Sequence, residues 1–172
     1  LIIKVVLNSK NQNNLENIFK RIKKKYKIKK KFYAILLHNP NILKTKNGIL
    51  AYNKLYNLKQ KKISEKIGIS TYGTENISLM ENKNIKYDII QTSGNILDNR
   101  IFKFLKLNSN IKKKEIHIRS IFLQGLLLKK KIPSKFKKFS AILKKVKEIS
   151  KKHNINVLQL LIHHIYKQKV NG

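Results

Sequence analysis

A histidine and a lysine in this 172-residue chain interrupt apolar runs in ways that could serve chemistry. His38 directly follows the apolar run 33–37 and precedes Asn39 and Pro40, and proline cannot continue a strand because it lacks an amide hydrogen. A short unbroken apolar run of this kind is typical of a strand buried on both faces of a parallel sheet. His38 would then lie at the carboxyl end of that strand, where α/β folds place their reactive groups. The alternative is a core histidine satisfied by a backbone group.

Lys4 lies inside a second apolar run, residues 1–7. Burying an ammonium group without a partner is costly, so this lysine requires either a partner or access to water. An edge-strand lysine that points to water would satisfy the second condition. Gln91 ends a third apolar run, and it needs a polar partner there, from a ligand or from a neighbouring loop.

The composition of the chain permits a packed core but excludes several kinds of site. Hydrophobic residues make up 41% of the chain, and the length suits one domain or a large part of one. The absence of cysteine excludes disulfides and thiolate metal sites. No apolar run approaches the length of a membrane span, and no signal pattern opens the chain, so we expect no membrane partner and a cytoplasmic location.

The formal net charge of +32 raises nucleic acid as a partner. Arginine, the favoured group for phosphate and guanine recognition, occurs only at positions 21, 100 and 119. The excess of Lys, Asn and Ile is what A/T-rich codons would produce, with the lysines on solvated helix faces. We therefore expect no nucleic-acid partner, although a basic nucleic-acid-binding protein stays open as the alternative function.

Strand and helix patterns alternate along the chain. We expect strands at 1–7, 33–38, 66–70, 87–91 and 115–120, with a loop at 92–95. Helices are expected near 15–26, 48–61 and 75–81, from Asp98 onwards, and in two amphipathic segments after Pro133. The last of these starts at Asn156 with Gln159 in the capping-box position, and should bury Leu158, Leu161, Ile162 and Ile165; the helix before it should bury Phe139, Ile142, Leu143, Val146 and Ile149. This alternation predicts an α/β fold with five parallel strands.

Several blocks of the sequence resemble the aldo/keto reductase family, in the family's order and with suitable spacing. Residues 1–6 resemble its third strand, 36–40 its fourth, 66–70 its fifth and 89–100 its sixth strand and loop. Residues 116–128, which include the pattern Arg-Ser-x-Phe-Leu-Gln-Gly-Leu-Leu, resemble the seventh strand of the family's bacterial branch. The resemblance implies a partial (β/α)8 TIM barrel, as a single domain over 1–172 that lacks the first two strands and the last.

What the resemblance implies is an NADPH-dependent, less often NADH-dependent, reductase of aldehydes or ketones. Lys4 and His38 match the lysine and histidine of the family's Asp-Tyr-Lys-His tetrad. In that tetrad the tyrosine protonates the carbonyl oxygen as hydride arrives, and the lysine, partnered by the aspartate, lowers the tyrosine's pKa. The histidine orients or polarises the carbonyl group.

The resemblance also implies a cofactor site. Ser70 and Gln91 match residues that hold the nicotinamide carboxamide, and Thr71 stands where many members have asparagine. Arg119 stands where many members stack an aromatic ring on the nicotinamide, and Ser120 is expected to contact the pyrophosphate. We expect no metal, and we read His117 as a packing or surface residue because it has no ligand set nearby.

Two tetrad groups have no match within residues 1–172. The family's Asp and Tyr lie on strands that would precede Leu1, and a chain that opens on Leu rather than Met is expected to be incomplete. We therefore expect the 172-residue chain to be an inactive fragment, because it has no proton donor. A non-catalytic barrel scaffold is a further alternative, and no oligomeric state is predicted.

Overall fold

The computed structural model describes residues 1–129 and 131–168. Its strands are β1 (Ile2–Val5), β2 (Phe32–Leu37), β3 (Ser64–Thr71), β4 (Ile89–Ser93) and β5 (Glu115–Arg119). Its α-helices are α1 (Leu15–Lys25), α2 (Lys46–Gln60), α3 (Glu75–Asn82), α4 (Arg100–Leu107), α5 (Ser140–Lys152) and α6 (Val157–Lys167). Short 3-10 segments lie at Pro40–Lys44, Ser109–Lys113, Leu126–Leu128 and Ser134–Phe139.

The five strands form one sheet in the order of the chain, β1-β2-β3-β4-β5, and every neighbouring pair is parallel. Each connection from β1 to β5 contains a helix, as parallel neighbours require. This arrangement confirms the prediction of an α/β fold with five parallel strands alternating with helices. Among the described helices, none is long and apolar enough to cross a membrane.

The main core lies between the sheet and the helices. Alternate strand residues such as Ile35, Ile67 and Ile90 point to it and are fully buried. Aromatic residues complete this layer, with the rings of Phe19 from α1 and Phe32 from β2 meeting edge to face at 5.7 Å. A smaller cluster of Ala34, Leu36 and Ile89 occupies the opposite side of the sheet, which we call the inner face.

Several element boundaries differ from the sequence prediction. β4 covers Ile89–Ser93 rather than 87–91, because Thr92 and Ser93, expected in a loop, pair with Ile118 and Arg119 of β5. Asp88 stays outside the strand, and its carboxylate accepts hydrogen bonds from the Ile67 amide and from Lys59. β1 is a shorter edge strand than expected, since Leu1 and Val6 are exposed.

The two C-terminal helices bury fewer residues than the pattern predicted. Leu143 and Val146 of α5 and Leu161 of α6 form a separate cluster with Leu127. Phe139 and Ile142, expected inside, are exposed, and so are Leu158 (43%) and Ile162 (51%) of α6. The capping box of α6 is present as predicted, with the Asn156 side chain accepting from the Gln159 amide at 2.8 Å.

Candidate active site

The predicted site residues come mainly from the inner face of the sheet. Because side chains alternate along a strand, Ile67 and Ile69 point to the helices while Gly68 and Ser70 point to the inner face. Paired residues in neighbouring parallel strands share a face, so the strand register shows which residues of the other strands also point to the inner face. The residues that end up on the inner face are Lys4, His38, Ser70, Gln91, Glu115, His117 and Arg119.

Lys4 and His38 share this face on neighbouring strands. Lys4 pairs with Leu36, and His38 follows two residues later along the same chain direction. The ladder extends to His38, whose backbone N–H donates to the Val5 carbonyl at 2.8 Å. Both side chains are exposed, so His38 is not a core histidine, and Lys4 lies on an edge strand with access to water.

Ser70 and Gln91 are direct partners in the β3–β4 ladder. The Ser70 side chain is 3% exposed, and its hydroxyl oxygen has no hydrogen-bond partner among the described residues. The Gln91 amide oxygen is likewise buried and unpartnered within the described ranges. Buried polar atoms normally have partners, so these paired residues each leave one polar atom available for a hydrogen bond.

Arg119 ends β5 in a fixed position on the same face. Its guanidinium lies 3.9 Å from the centre of the Tyr72 ring, donates to the Thr71 carbonyl at 3.0 Å and reaches the Ser120 hydroxyl at 3.3 Å. Its Nε atom is buried and has no partner in the described part of the chain. A planar guanidinium that is stacked and hydrogen-bonded in this way is held rigidly.

Thr71 and Ser120 differ from the other predicted residues in their placement. Thr71 pairs with Thr92, and alternation puts its side chain on the helix-facing side, where the hydroxyl donates to the Gly73 carbonyl at 3.3 Å. Ser120, expected within the last strand, lies just beyond β5 with a positive φ of 60°. Its backbone carbonyl accepts from the Asn95 side chain at 3.4 Å, which ties it to the loop after β4.

The electrostatics of Lys4 follow from what surrounds it. Although the Lys4 side chain is exposed, its partial burial against the sheet lowers its pKa, the positive charge of Arg119 lowers it further, and the phenol of Tyr72 partly opposes both effects. No carboxylate in the described part of the chain forms an ion pair with Lys4. A lowered pKa means that the surroundings destabilise the charged form of Lys4. A negatively charged or phenolic partner would stabilise that form.

The sequence analysis missed Tyr72 and the cavity beside it. A cavity of about 540 Å³ lies between the loops after β4 and β5 and the start of α5. Its walls include Tyr72, Asn95, Ser120 and Phe139. Tyr72 directly follows Ser70 and Thr71 in the chain, and its stack on Arg119 places its ring in this region.

His117, which we read as a packing or surface residue, is half-buried and forms a polar pair. Its Nε2 atom lies 2.5 Å from a Glu115 carboxylate oxygen on the inner face. The described residues contain no group of three or more His, Asp or Glu residues that could hold a metal ion.

No family model and no curated protein sequence matches the chain. Among solved structures, an aldo/keto reductase from Brucella melitensis aligns with a TM-score of 0.61 at 16% identity, over 99% of this chain and 60% of its own. A Gox0644 mutant in complex with NADPH aligns with a TM-score of 0.59 at 14% identity, over 92% of this chain and 54% of its own.

The fold is that of a partial (β/α)8 barrel. At identities this low the likeness shows the fold alone, and the chain spans little more than half the length of the structures it resembles. In such barrels the reactive groups lie at the carboxyl ends of the strands. His38, Ser70, Gln91 and Arg119 all lie at or near that end.

Proposed function

We propose that this chain provides the nicotinamide-binding part of an aldo/keto reductase site, which reduces an aldehyde or ketone with NADPH or, less often, NADH. The observation that carries the proposal is the pair of unsatisfied polar atoms on Ser70 and Gln91. The fold likeness to an aldo/keto reductase and to an NADPH complex supports it.

The residues present fit a nicotinamide carboxamide. That group has two N–H donors and one carbonyl acceptor, whereas the Gln91 amide oxygen accepts and the Ser70 hydroxyl donates or accepts. A bound carboxamide would therefore satisfy both atoms, which otherwise carry the cost of burial without a hydrogen bond. Thr92 also has an unpartnered buried hydroxyl, but alternation along β4 puts its side chain on the helix-facing side of the sheet, away from Ser70 and Gln91.

Arg119 and Ser120 would hold the rest of the cofactor. The Tyr72 ring and the Thr71 carbonyl hold the guanidinium in place. Its planar, positively charged group then lies beside Gln91 and Ser93 of β4. The Ser120 hydroxyl, within reach of Arg119, is suited to a pyrophosphate oxygen. In this proposal Thr71 contributes its carbonyl, through Arg119, because its hydroxyl is bonded to Gly73.

When bound, the cofactor supplies a hydride to the carbonyl carbon of the substrate. The Lys4 ammonium stabilises negative charge that develops on the substrate oxygen or on a proton-donating phenol. The His38 imidazole, on the neighbouring strand and the same face, donates a hydrogen bond that orients the carbonyl. We assign no residue of the 172 to the family's tyrosine and aspartate, so turnover is proposed for a protein that also supplies them.

Titration of the 172-residue chain with NADPH, followed by nucleotide fluorescence, tests this proposal. We expect saturable binding that Ser70→Ala and Gln91→Leu each weaken by about tenfold, since each removes one hydrogen bond. Thr92→Val is the matched control, because it removes a buried unpartnered hydroxyl from the opposite face. An absence of saturable binding, or an equal loss in the Thr92 control, would contradict a nicotinamide site. Competition with NAD then ranks the two nucleotides.

A further inference from the structure

The parallel topology collects lysines at one edge of the molecule. Each of α1–α4 carries the chain back to the start of the next strand, so the four helix-to-strand turns lie side by side at the amino-terminal edge of the sheet. These turns contain the segments 23–31, 59–62, 83–86 and 112–114, which are rich in lysine. The candidate nicotinamide site lies at the other end of the strands, so the two regions are separate.

The segment 23–31 has seven lysines in nine residues. Lys24, Lys25, Lys27, Lys29 and Lys30 are exposed, and none forms an ion pair with a described residue. With only eight acidic residues in the whole chain, this edge has little negative charge to balance it. Like charges held close together attract a polyanion, because binding releases its counterions.

A groove of about 510 Å³ opens at this edge between α2 and the turn from α3 to β4. Asn53, Asn57 and Gln60 line one side, spaced along one face of α2, and Asn84 lines the other. None of these four side-chain amides makes a hydrogen bond to another residue of the described ranges. Amides present both donors and acceptors, as the edges of nucleic-acid bases require.

An aromatic ring and two ammonium groups complete the groove. Tyr56, Lys83 and Lys86 are in its lining, with the Lys83 ammonium 3.5 Å from the Leu43 carbonyl, whereas no carboxylate lines it. The carboxylates of Glu81 and Asp88 nearby in sequence are engaged, by the Tyr87 hydroxyl and by Lys59. The groove therefore offers stacking, hydrogen bonding and phosphate contacts together.

A second ring lies in the lysine-rich segment. Tyr26 is 64% exposed, with the Lys25 ammonium 5.5 Å from the ring centre. Its turn precedes β2 and the groove's turn precedes β4, two strand spacings or about 10 Å apart. Proteins commonly bind unpaired bases by stacking them on exposed aromatic rings along a positively charged surface.

We propose that the amino-terminal edge of the sheet binds single-stranded nucleic acid, with phosphates on the lysines and bases on Tyr26 and in the amide-lined groove. A duplex fits less well, because its bases are paired and present no free faces to the rings. The scarcity of arginine led us to expect no nucleic-acid partner, whereas the clustering of lysines and amides at this edge favours one. The proposal is independent of the reductase proposal, since the two sites share no residue.

Fluorescence anisotropy with a labelled oligouridylate of about 15 nucleotides tests this proposal. Between about 50 and 200 mM salt, the logarithm of the association constant should fall linearly with the logarithm of the salt concentration. The slope should be about 0.7 for each phosphate contact. The double variant Lys83→Gln with Lys86→Gln should weaken binding by roughly tenfold and reduce that slope by about 1.4. The double variant Lys137→Gln with Lys138→Gln removes the same charge from exposed positions outside the groove, and should change affinity by less than about twofold.

A third variant separates base contacts from charge. Asn57→Ala with Gln60→Ala removes two exposed amides and no charge, so it should weaken oligonucleotide binding while leaving the salt slope unchanged. Equal losses in the two lysine pairs, or no loss in the amide pair, would overturn the proposal in favour of unspecific charge. Binding to vesicles containing anionic phospholipid without binding to the oligonucleotide would also overturn it. Circular dichroism confirms that each variant is folded.

Discussion

Lys66 of β3 and Glu115 of β5 form an ion pair across the inner face of the sheet, over the intervening strand β4. The same carboxylate accepts from the Tyr33 hydroxyl of β2 at 2.6 Å and from His117 at 2.5 Å. One carboxylate therefore ties together side chains from three strands. Burial raises the pKa of Glu115, but the hydrogen bonds from Lys66, Tyr33 and His117 outweigh it, so that the pKa lies below its ordinary value.

Replacing Glu115 by glutamine should change the acid stability of the chain. A lowered folded-state pKa contributes stability above the ordinary value of 4.5, and this contribution is lost as the pH falls through the folded-state value. Glu115→Gln should lower the free energy of unfolding by about 1 kcal/mol near neutral pH, because the Glu115 side chain is only 18% exposed. The difference from wild type should shrink below pH 4.5. Urea unfolding across this pH range measures it.

Glu65→Gln is the control for that experiment, because the Lys31–Glu65 pair is longer, at 3.5 Å, and more exposed. We expect a cost below about 0.5 kcal/mol. If the two variants have the same effect at every pH, the inner-face network does not stabilise the fold.

Replacing Lys4 by methionine should stabilise the chain at neutral pH. The folded-state pKa of Lys4 lies below 10.5, so the unfolded state binds the proton more tightly and stability rises as the pH climbs through the folded-state value towards 10.5. Lys4→Met should raise the free energy of unfolding by less than about 1 kcal/mol near pH 7, and the gain should fade with rising pH. Lys10→Met, in the exposed loop after β1, should show no such trend.

Gly68 should tolerate no side chain. A Cβ atom at this position would lie 1.7 Å from the carbonyl oxygen of Ile89 on the neighbouring strand, so the sheet would have to move. We expect Gly68→Ala to cost more than about 2 kcal/mol in thermal or urea unfolding. At Gly125 the space is open but φ is +83°, so Gly125→Ala should cost only about 1 kcal/mol. A Gly68 variant as stable as the Gly125 variant would contradict the close approach of β3 and β4.

The capping box at the start of α6 should contribute measurably to stability. Asn156→Ala removes the acceptor for the Gln159 amide and should cost about 1 kcal/mol of unfolding free energy. Asn14 occupies the equivalent position of α1 without a side-chain cap bond, so Asn14→Ala should cost much less. Equal costs would mean that the α6 cap bond contributes nothing in solution.

The sequence determined the order and type of the elements, because each strand and helix has its own local pattern. The apolar run 33–37 ends at a histidine and a proline, and it forms β2 over Phe32–Leu37. The side-chain chemistry of Asn156 and Gln159 fixed the start of α6. The candidate residues Ser70 and Gln91 were also found from the sequence, through the family resemblance, although their roles stay predictions.

Pairing between strands could not be read from local patterns. Thr92 and Ser93 looked like loop residues, but hydrogen bonds to β5 extend β4 through them. Leu158 and Ile162 looked like core residues, but the packing around α6 leaves them 43% and 51% exposed. A local pattern specifies which face of an element is apolar, whereas burial depends on what else packs there.

The tertiary structure alone decided which distant side chains meet. Lys66 and Glu115 are 49 residues apart, Arg119 stacks on Tyr72, and Ser70 and Gln91 become neighbours only through the β3–β4 register. The placement of the lysines at one edge likewise follows from the return of each helix to the start of the next strand. The physical reason is that sequence periodicity acts over a few residues, while register and topology are set by hydrogen bonds and packing between segments far apart in the chain.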